Sequence, residues 1–86
     1  EGKTYLECIE SMRIAFGLDA VKEFCLCNAY KYIWRHKHKN GEEDINKANW
    51  YLNYYVNNTD TENDYIPHQY EELRKYVDKH LNTLLH

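Results

Sequence analysis

The sequence predicts an all-α domain, a small bundle of about four helices in which self-association is one way to complete a thin core. Four segments carry apolar residues at the i, i+3, i+4, i+7 spacing of an amphipathic helix, and none alternates as a strand does. A chain of 86 residues is near the lower limit for a single stable core. Nine tyrosines supply much of its apolar surface, since their rings pack while their hydroxyls stay hydrated.

The first helix is predicted to begin at a capping pair and to end at a glycine. Thr4 and Glu7 have the spacing of a capping box, and Gly17 is a favourable residue just after a helix. The apolar stripe of this helix consists of Tyr5, Cys8, Ile9, Met12 and Phe16.

The second helix is predicted to start at an Asp19 cap and to end at Asn40-Gly41, two residue types that tolerate a positive φ. Lys37, His38 and Lys39 then complement the partial negative charge of its last turn. Its inward stripe consists of Val21, Phe24, Cys25, Asn28, Ala29, Tyr32, Ile33 and His36.

The third helix is predicted to start at an Asp44 cap, and a fourth helix over 66–85 to carry Pro67 in its first turn. The polar segment 57–64 lacks an apolar period and is expected to connect them as an exposed loop. The whole chain, 1–86, is treated as one domain. The inward residues are Ile45, Ala48, Leu52, Tyr55 and Val56 in the third helix, and Tyr70, Leu73, Val77, Leu81 and Leu84 in the fourth.

Net charge and cysteine content restrict the cellular compartments and the kinds of partner that the sequence predicts. A net charge of -3 gives no general attraction to nucleic acid, so anion binding has to be local. No apolar run approaches the roughly 20 residues that span a bilayer. The first ten residues are too charged for a secretory signal peptide, so we expect a cytoplasmic protein without membrane contact. Cys8, Cys25 and Cys27 are expected to be buried, reduced thiols.

A cluster of cations around the turn at Asn40-Gly41 is the main candidate site. Lys31 and Arg35 are four residues apart on one helix face, where like charges repel unless an anion lies between them. Lys47 is in the first turn of the third helix, where a cation is electrostatically unfavourable. A tight turn brings all three together, which predicts an anion site with Asn28 as an uncharged donor. The alternative is local neutralisation by Glu42, Glu43 and Asp44.

The outer face of the second helix carries aromatic residues that have no place in the predicted core. Tyr30 and Trp34 lie there with Cys27 and His38 at helical spacing. Because exposing two such rings forgoes a few kcal/mol of burial, a second packing surface is expected. The fourth helix, a second copy of the chain and a base-stacking platform are the alternatives. Trp50 is a further interface candidate.

Metal binding has only one weak candidate in the sequence. Glu7 and Glu10, at i and i+3, are able to hold Mg²⁺ together, although such a pair is more often a cap and a surface charge. Residues at i and i+2 on a helix point apart, which excludes the other pairs as chelators. These pairs are Cys25 with Cys27 and His36 with His38. The acidic residues of segment 60–64 lack the glycine and the closing glutamate of a calcium loop and are expected to be solvated.

The segment 4–56 resembles a family of small phage and prophage proteins, described as a domain of unknown function or as nucleotide kinase-like after the kinase of a T7-type phage. Cys27 stands where the family pattern has a glycine. The positions that carry the resemblance are Asn28, Lys31, Tyr32, Arg35, Lys39, Asp44, Lys47, Ala48, Tyr51 and Leu52.

The resemblance implies nucleotide or phosphate recognition at Asn28, Lys31, Arg35 and Lys47, with the other matched polar and aromatic positions in support. The supporting residues are Tyr32, Lys39, Asp44 and Tyr51. Phosphoryl transfer would additionally require Mg²⁺, and with no glycine-rich phosphate loop in the sequence the enzymatic status stays open.

The alternative function is a non-catalytic phage protein that binds and inhibits or redirects a host protein, such as a defence nuclease. Tyr30, Trp34 and the acidic loop would form its contact surface. Direct binding of nucleic acid is a third, weaker interpretation, because the acidic residues 42–44 adjoin the basic stretch.

Overall fold

The computed structural model describes residues 3–85, with side chains for residue 4 and residues 6–82, and its secondary structure is entirely helical. This confirms the predicted all-α class. The helices are α1 (Lys3–Phe16), α2 (Leu18–Arg35), α3 (Glu42–Asn57) and α4 (His68–Leu85). Helices α2 and α3 form the most extensive pair, α4 packs on both, and α1 packs on α2. Helices α2 and α3 thus position the basic residues.

The core contains many tyrosines, as their abundance predicted. Buried aliphatic residues from all four helices meet five buried tyrosine rings, so the rings fill space that larger domains fill with leucine and isoleucine. The buried apolar residues are Ile9, Val21, Cys25, Ala29, Tyr32, Ile45, Ala48, Tyr51, Leu52, Tyr54, Tyr55, Tyr70 and Val77. Most of the predicted inward positions of α2 to α4 are therefore buried or half-buried. Tyr5 and Leu84 lie outside the described side chains.

The predicted inward stripe of α1 is wrong at two positions. Ile9 is buried and Met12 is half-buried against the core, but Cys8 is exposed and Phe16 is 74% exposed. Among the described helices, the backbone of α1 lies close to that of α2 only, and its contact with α3 is through side chains such as Glu10, so only one narrow row of its side chains is covered. Cys27 is also exposed, and of the three thiols only Cys25 is buried as predicted.

Both predicted aspartate caps are wrong, because glycines occupy the cap positions. Gly17 precedes α2 with φ 93°, and Gly41 precedes α3 with φ 51°. These left-handed conformations favour glycine, since a side chain would strain the backbone there. Asp19 and Asp44 instead lie in the first turns of α2 and α3, where a carboxylate complements the free amides.

The second helix ends earlier than predicted. Its last residue is Arg35, and residues 36–41 form turns, so Lys37, His38 and Lys39 follow the helix rather than finish it. The backbone amide of His38 donates to the carbonyl of Arg35 at 2.9 Å, and that of Gly41 donates to the carbonyl of His36 at 2.8 Å. The turn returns the chain directly into α3.

Arg74 joins α3 to α4 through polar contacts. Its Nη1 donates to Asn49 Oδ1 at 2.7 Å and to Asp78 Oδ1 at 3.0 Å, and its Nη2 donates to Asn53 Oδ1 at 2.9 Å. Its Nε lies 3.4 Å from the hydroxyl oxygen of Tyr70. These bonds fix the rotation of α4 against α3. None of the helices in residues 3–85 is long and apolar enough to cross a membrane.

Candidate functional site

The candidate site lies where the end of α2 meets the start of α3, around the ring of Tyr32. This ring is 7% exposed and stacks on Tyr51 of α3, with centroids 6.0 Å apart and planes at 12°. The ring of Phe24 packs edge to face on Tyr51, with centroids 6.0 Å apart. Because the pair is packed from several sides, Tyr32 provides a rigid floor for charged groups above it.

All three predicted cations meet at the Tyr32 ring. Lys31 Nζ lies 4.5 Å from its centroid and Arg35 Cζ lies 4.9 Å away. Lys47 Nζ, from α3, lies 5.5 Å away. Cations are attracted to aromatic faces at such distances, and their methylene stems cover the ring. The corner formed by Lys31, Arg35 and Lys47 around Tyr32 is called the basic corner below.

Arg35 is paired with a fully buried carboxylate. Its Nε lies 3.3 and 3.2 Å from Asp44 Oδ1 and Oδ2, and its Nη2 lies 3.2 Å from Oδ1. The side chain of Asp44 is 0% exposed, whereas that of Arg35 is 34% exposed. Asp44 also accepts a hydrogen bond from the backbone amide of Asn40 at 3.3 Å, so it holds the turn as well as the guanidinium.

The charge states of this pair follow from its surroundings. Burial raises the pKa of the Asp44 carboxyl, but hydrogen bonds from Arg35 and the Asn40 amide outweigh burial and hold that pKa below its ordinary value. The hydrogen bond to Asp44 in turn raises the pKa of Arg35. Both groups are therefore ionised at neutral pH.

Lys47 has an exposed carboxylate as its partner. Its Nζ lies 3.2 Å from Glu43 Oε1, and the two side chains are 17% and 64% exposed. The predicted alternative of local neutralisation thus describes the contacts of two of the three cations. Around the turn, residues 31–47 carry five lysine and arginine side chains and three carboxylates, a formal excess of two positive charges.

The remaining predicted site residues differ in their positions. Asn28 is half-buried on α2, one turn before Tyr32, and therefore on the same side of the helix. Lys39 is exposed in the turn. Binding by any of these residues stays a prediction, since geometry alone does not test it.

Glu10 is used in a structural contact, which weakens the predicted metal pair with Glu7. Its Oε2 accepts a hydrogen bond from the hydroxyl of Tyr54 at 2.8 Å, and Oε1 lies 3.9 Å from Arg13 Nη1. Burial and this bond raise the pKa of Tyr54. Among the described residues, no three histidine, cysteine, aspartate or glutamate side chains are grouped to hold a metal ion.

The aromatic interface candidates fall into two environments. Trp50 is half-buried and stacks on Tyr54, with centroids 5.9 Å apart. Tyr30 and Trp34 are 59% and 74% exposed, so the fourth helix does not cover the outer face of α2. A groove of about 360 Å³ lies beside that face, between α2 and the start of α4. Its walls include Leu26, Tyr30 and Leu73, and the i, i+4 spacing of Leu26 and Tyr30 was the only sign of it in the sequence.

The helical fold and the basic corner define a small all-α protein with a local cationic site. The model of a family described as protein of unknown function, DUF3310, matches residues 2–53, and the chain belongs to this family. The matched segment includes α2, the turn and all of the basic corner, while α4 lies beyond it. No curated protein and no solved structure matches the chain.

Proposed function

We propose that the protein binds a nucleotide or another phosphate-bearing ligand at the basic corner. The observation that supports this is the approach of Lys31, Arg35 and Lys47, from two helices, to one buried ring. A phosphate group offers several acceptor oxygens and about two negative charges at neutral pH, which match such a cluster. The resemblance to nucleotide kinase-like phage proteins supports a nucleotide as the ligand that carries this phosphate group.

Arg35 is suited to the task because Asp44 holds it in one orientation. The bonds to Asp44 use Nε and Nη2, so we assign Nη1 to the ligand. A guanidinium fixed in this way loses little conformational entropy on binding. Asp44 therefore positions the arginine rather than competing for it.

Lys47 is able to exchange its present partner for a phosphate. The bond to Glu43 involves a carboxylate that is 64% exposed, and such surface pairs contribute only about 0.2–1 kcal/mol. A phosphate, with about two negative charges, offers the ammonium a charge-assisted hydrogen bond in place of this one. The exchange therefore costs little. Lys31, exposed beside Tyr32, completes the charge around the ligand.

The proposal is limited to binding. Phosphoryl transfer needs a positioned Mg²⁺ as well as neutralisation of charge. Asp44, the only buried carboxylate in the corner, is already bonded to Arg35 and Asn40, and Glu10 is bonded to Tyr54. A kinase reaction would therefore draw its metal and its acceptor from the substrates or from a second subunit.

Calorimetric titration with inorganic phosphate and a panel of nucleoside mono- and triphosphates, with and without Mg²⁺, tests the proposal. We expect saturable binding that Lys31→Gln and Lys47→Gln each weaken about tenfold, the value of one charge-assisted hydrogen bond. Lys75→Gln is the matched control, because Lys75 is an exposed lysine on α4. Arg35→Ala is less informative, since it also leaves Asp44 buried without its partner. Absence of heat with every ligand, or equal affinities in all variants, would contradict the proposal.

The exposed rings of Tyr30 and Trp34 favour protein contact as a second function. A phage protein that redirects a host factor would use such a surface. Binding of a host protein predicts a stable complex that Trp34→Ala disrupts and that nucleotide does not affect. Co-purification with a tagged chain, followed by the same experiment with Trp34→Ala, measures this.

A further inference from the structure

The solvent-facing side of α2 carries a second regular stripe. Its five positions succeed one another by three, four, three and four residues, the spacing that lets one helix pack lengthwise against another. All five are exposed in this chain. The stripe consists of Ala20, Glu23, Cys27, Tyr30 and Trp34.

This outer stripe lies opposite the buried face of α2. The buried side chains of α2 are those of Val21, Cys25, Ala29 and Tyr32. The start of α4 and the residue before it approach one side of the outer stripe. Glu23, Cys27 and Tyr30 lie on one wall of the groove there, and Pro67 and Leu73 lie on the other. Beyond the groove, Trp34 is 74% exposed. Rings with this exposure on a regular stripe indicate an interface.

The outer stripe, taken together with the adjoining Lys31, is complementary to itself when it is reversed. Glu23 and Lys31 are each four residues from Cys27, on opposite sides of it. Ala20 and Trp34 are each seven residues from it. An antiparallel pair with a twofold axis at Cys27 therefore sets Glu23 of each copy against Lys31 of the other. It also sets the small Ala20 against the large Trp34, twice.

We propose that the outer face of α2 binds the same face of a second copy of this chain, antiparallel, about a twofold axis at Cys27. A twofold interface requires one surface to be complementary to itself in both charge and size, and the outer stripe meets this requirement together with the adjoining Lys31. A parallel pairing is disfavoured, because it sets glutamate against glutamate and tryptophan against tryptophan. An unrelated partner would not require the symmetric spacing of charges about Cys27.

The dimer and the ligand site share one residue, Lys31, and are otherwise separate proposals. Arg35 contacts Tyr32 and Asp44, and Lys47 contacts Tyr32, on the inner side of α2 and away from the outer stripe. Only Lys31 lies at the edge of both surfaces. Variants at Glu23 and Trp34 thus test the dimer without touching the basic corner, and Lys47→Gln tests the ligand site without touching the dimer.

A charge exchange tests the antiparallel register. Sedimentation equilibrium over a range of protein concentrations should show a dimer for the unaltered chain. Glu23→Lys and Lys31→Glu should each weaken it about tenfold or more, because like charges then face each other twice. The double variant should restore the affinity. Trp34→Ala should also dissociate the dimer, whereas Tyr65→Ala, at an exposed tyrosine outside the stripe, should not. A monomeric unaltered chain, or a double variant no better than the single ones, would overturn the proposal.

Cross-linking of cysteine tests the position of the axis. In a Cys8→Ser background the only exposed thiol of the described residues is Cys27. A short bifunctional maleimide should then join two copies, and Cys8→Ser/Cys27→Ser should give no product. If Cys8→Ser formed dimers but gave no cross-linked product, the twofold axis would not lie at Cys27 and the register would be wrong. If the chain instead formed a complex with a foreign protein and did not self-associate, the outer face would bind that protein and the proposal would be wrong.

Discussion

The carboxylate of Asp44 accepts hydrogen bonds from Nε and Nη2 of Arg35 at 3.2–3.3 Å, and a further one from the Asn40 amide at 3.3 Å. One buried carboxylate thereby holds the last residue of α2, the turn and the first turn of α3. The bond also determines where Arg35 points. The stability of the fold and the geometry of the basic corner consequently depend on the same pair.

Replacement of Asp44 by asparagine should destabilise the protein. Breaking a fully buried ion pair costs about 3–5 kcal/mol, but Arg35 is one-third exposed and able to rehydrate, so we expect about 2 kcal/mol. Urea denaturation followed by circular dichroism measures the change. Glu42→Gln is the matched control, because Glu42 is an exposed carboxylate in the same turn, and its effect should stay within about 0.5 kcal/mol. Equal midpoints for Asp44→Asn and the unaltered chain would show that the pair contributes nothing.

The same pair predicts a loss of stability in acid. The pKa of Asp44 is lower in the folded chain than its unfolded value of about 3.9, so the unfolded state binds the proton more readily. Its contribution is therefore complete above that value and is lost as the pH falls through the lower, folded pKa. The free energy of unfolding at pH 7 and at pH 3 should differ more in the unaltered chain than in Asp44→Asn. An identical pH dependence in the two proteins would contradict this assignment.

Arg74→Met should loosen α4 from α3. The substitution keeps the packing of the aliphatic stem but removes hydrogen bonds to Asn49, Asn53 and Asp78, of which two bridge the helices. At about 1 kcal/mol for each bridging bond, we expect about 2 kcal/mol of destabilisation. Lys75→Met, one residue further on an exposed position, is the control and should have little effect. Hydrogen exchange should accelerate most in α4 of Arg74→Met. Equal exchange rates in the two variants would show that Arg74 does not hold α4 on α3.

The three thiols should differ in reactivity towards a disulfide reagent under native conditions. Burial raises the pKa of the Cys25 thiol to about 12, so it carries almost no thiolate at neutral pH and is also shielded. Cys8 and Cys27 are exposed in the single chain and should react quickly at protein concentrations low enough to keep the chain monomeric. Titration should thus show two fast thiols and one that reacts only on unfolding. Three fast thiols would contradict the packing of α2, and the variant Cys25→Ser identifies the slow one.

The four helices and most of their buried faces were predictable because each has a clear apolar period. Tyr55, Leu52 and Val77, for example, are buried where the spacing placed them. The end of α2 was not predictable from local sequence, since the residues that follow Arg35 include no glycine or proline before Gly41 and lysine is a good helix former. The turn that follows Arg35 is instead held by Asp44, nine residues away, which accepts hydrogen bonds from Arg35 and from the Asn40 amide. The exposure of Cys8 had a similar cause, as it depends on which helix covers α1.

The convergence of the cations was predictable from the tight turn, but their partners were not. Spacing on α2 and α3 indicated that Lys31, Arg35 and Lys47 would be close. It did not indicate that they would surround Tyr32, or that Arg35 and Lys47 would each take one carboxylate. Such choices depend on side-chain distances of a few ångströms, which no periodicity contains.

The most direct test of the basic corner is a titration of the ¹⁵N-labelled chain with nucleotide, followed by amide chemical shifts. The account predicts saturable shifts at Lys31, Tyr32, Arg35 and Lys47, an unaffected α4 around Lys75, and loss of the response in Lys47→Gln. An unchanged spectrum at high ligand concentration, or shifts confined to the groove between α2 and α4, would contradict it.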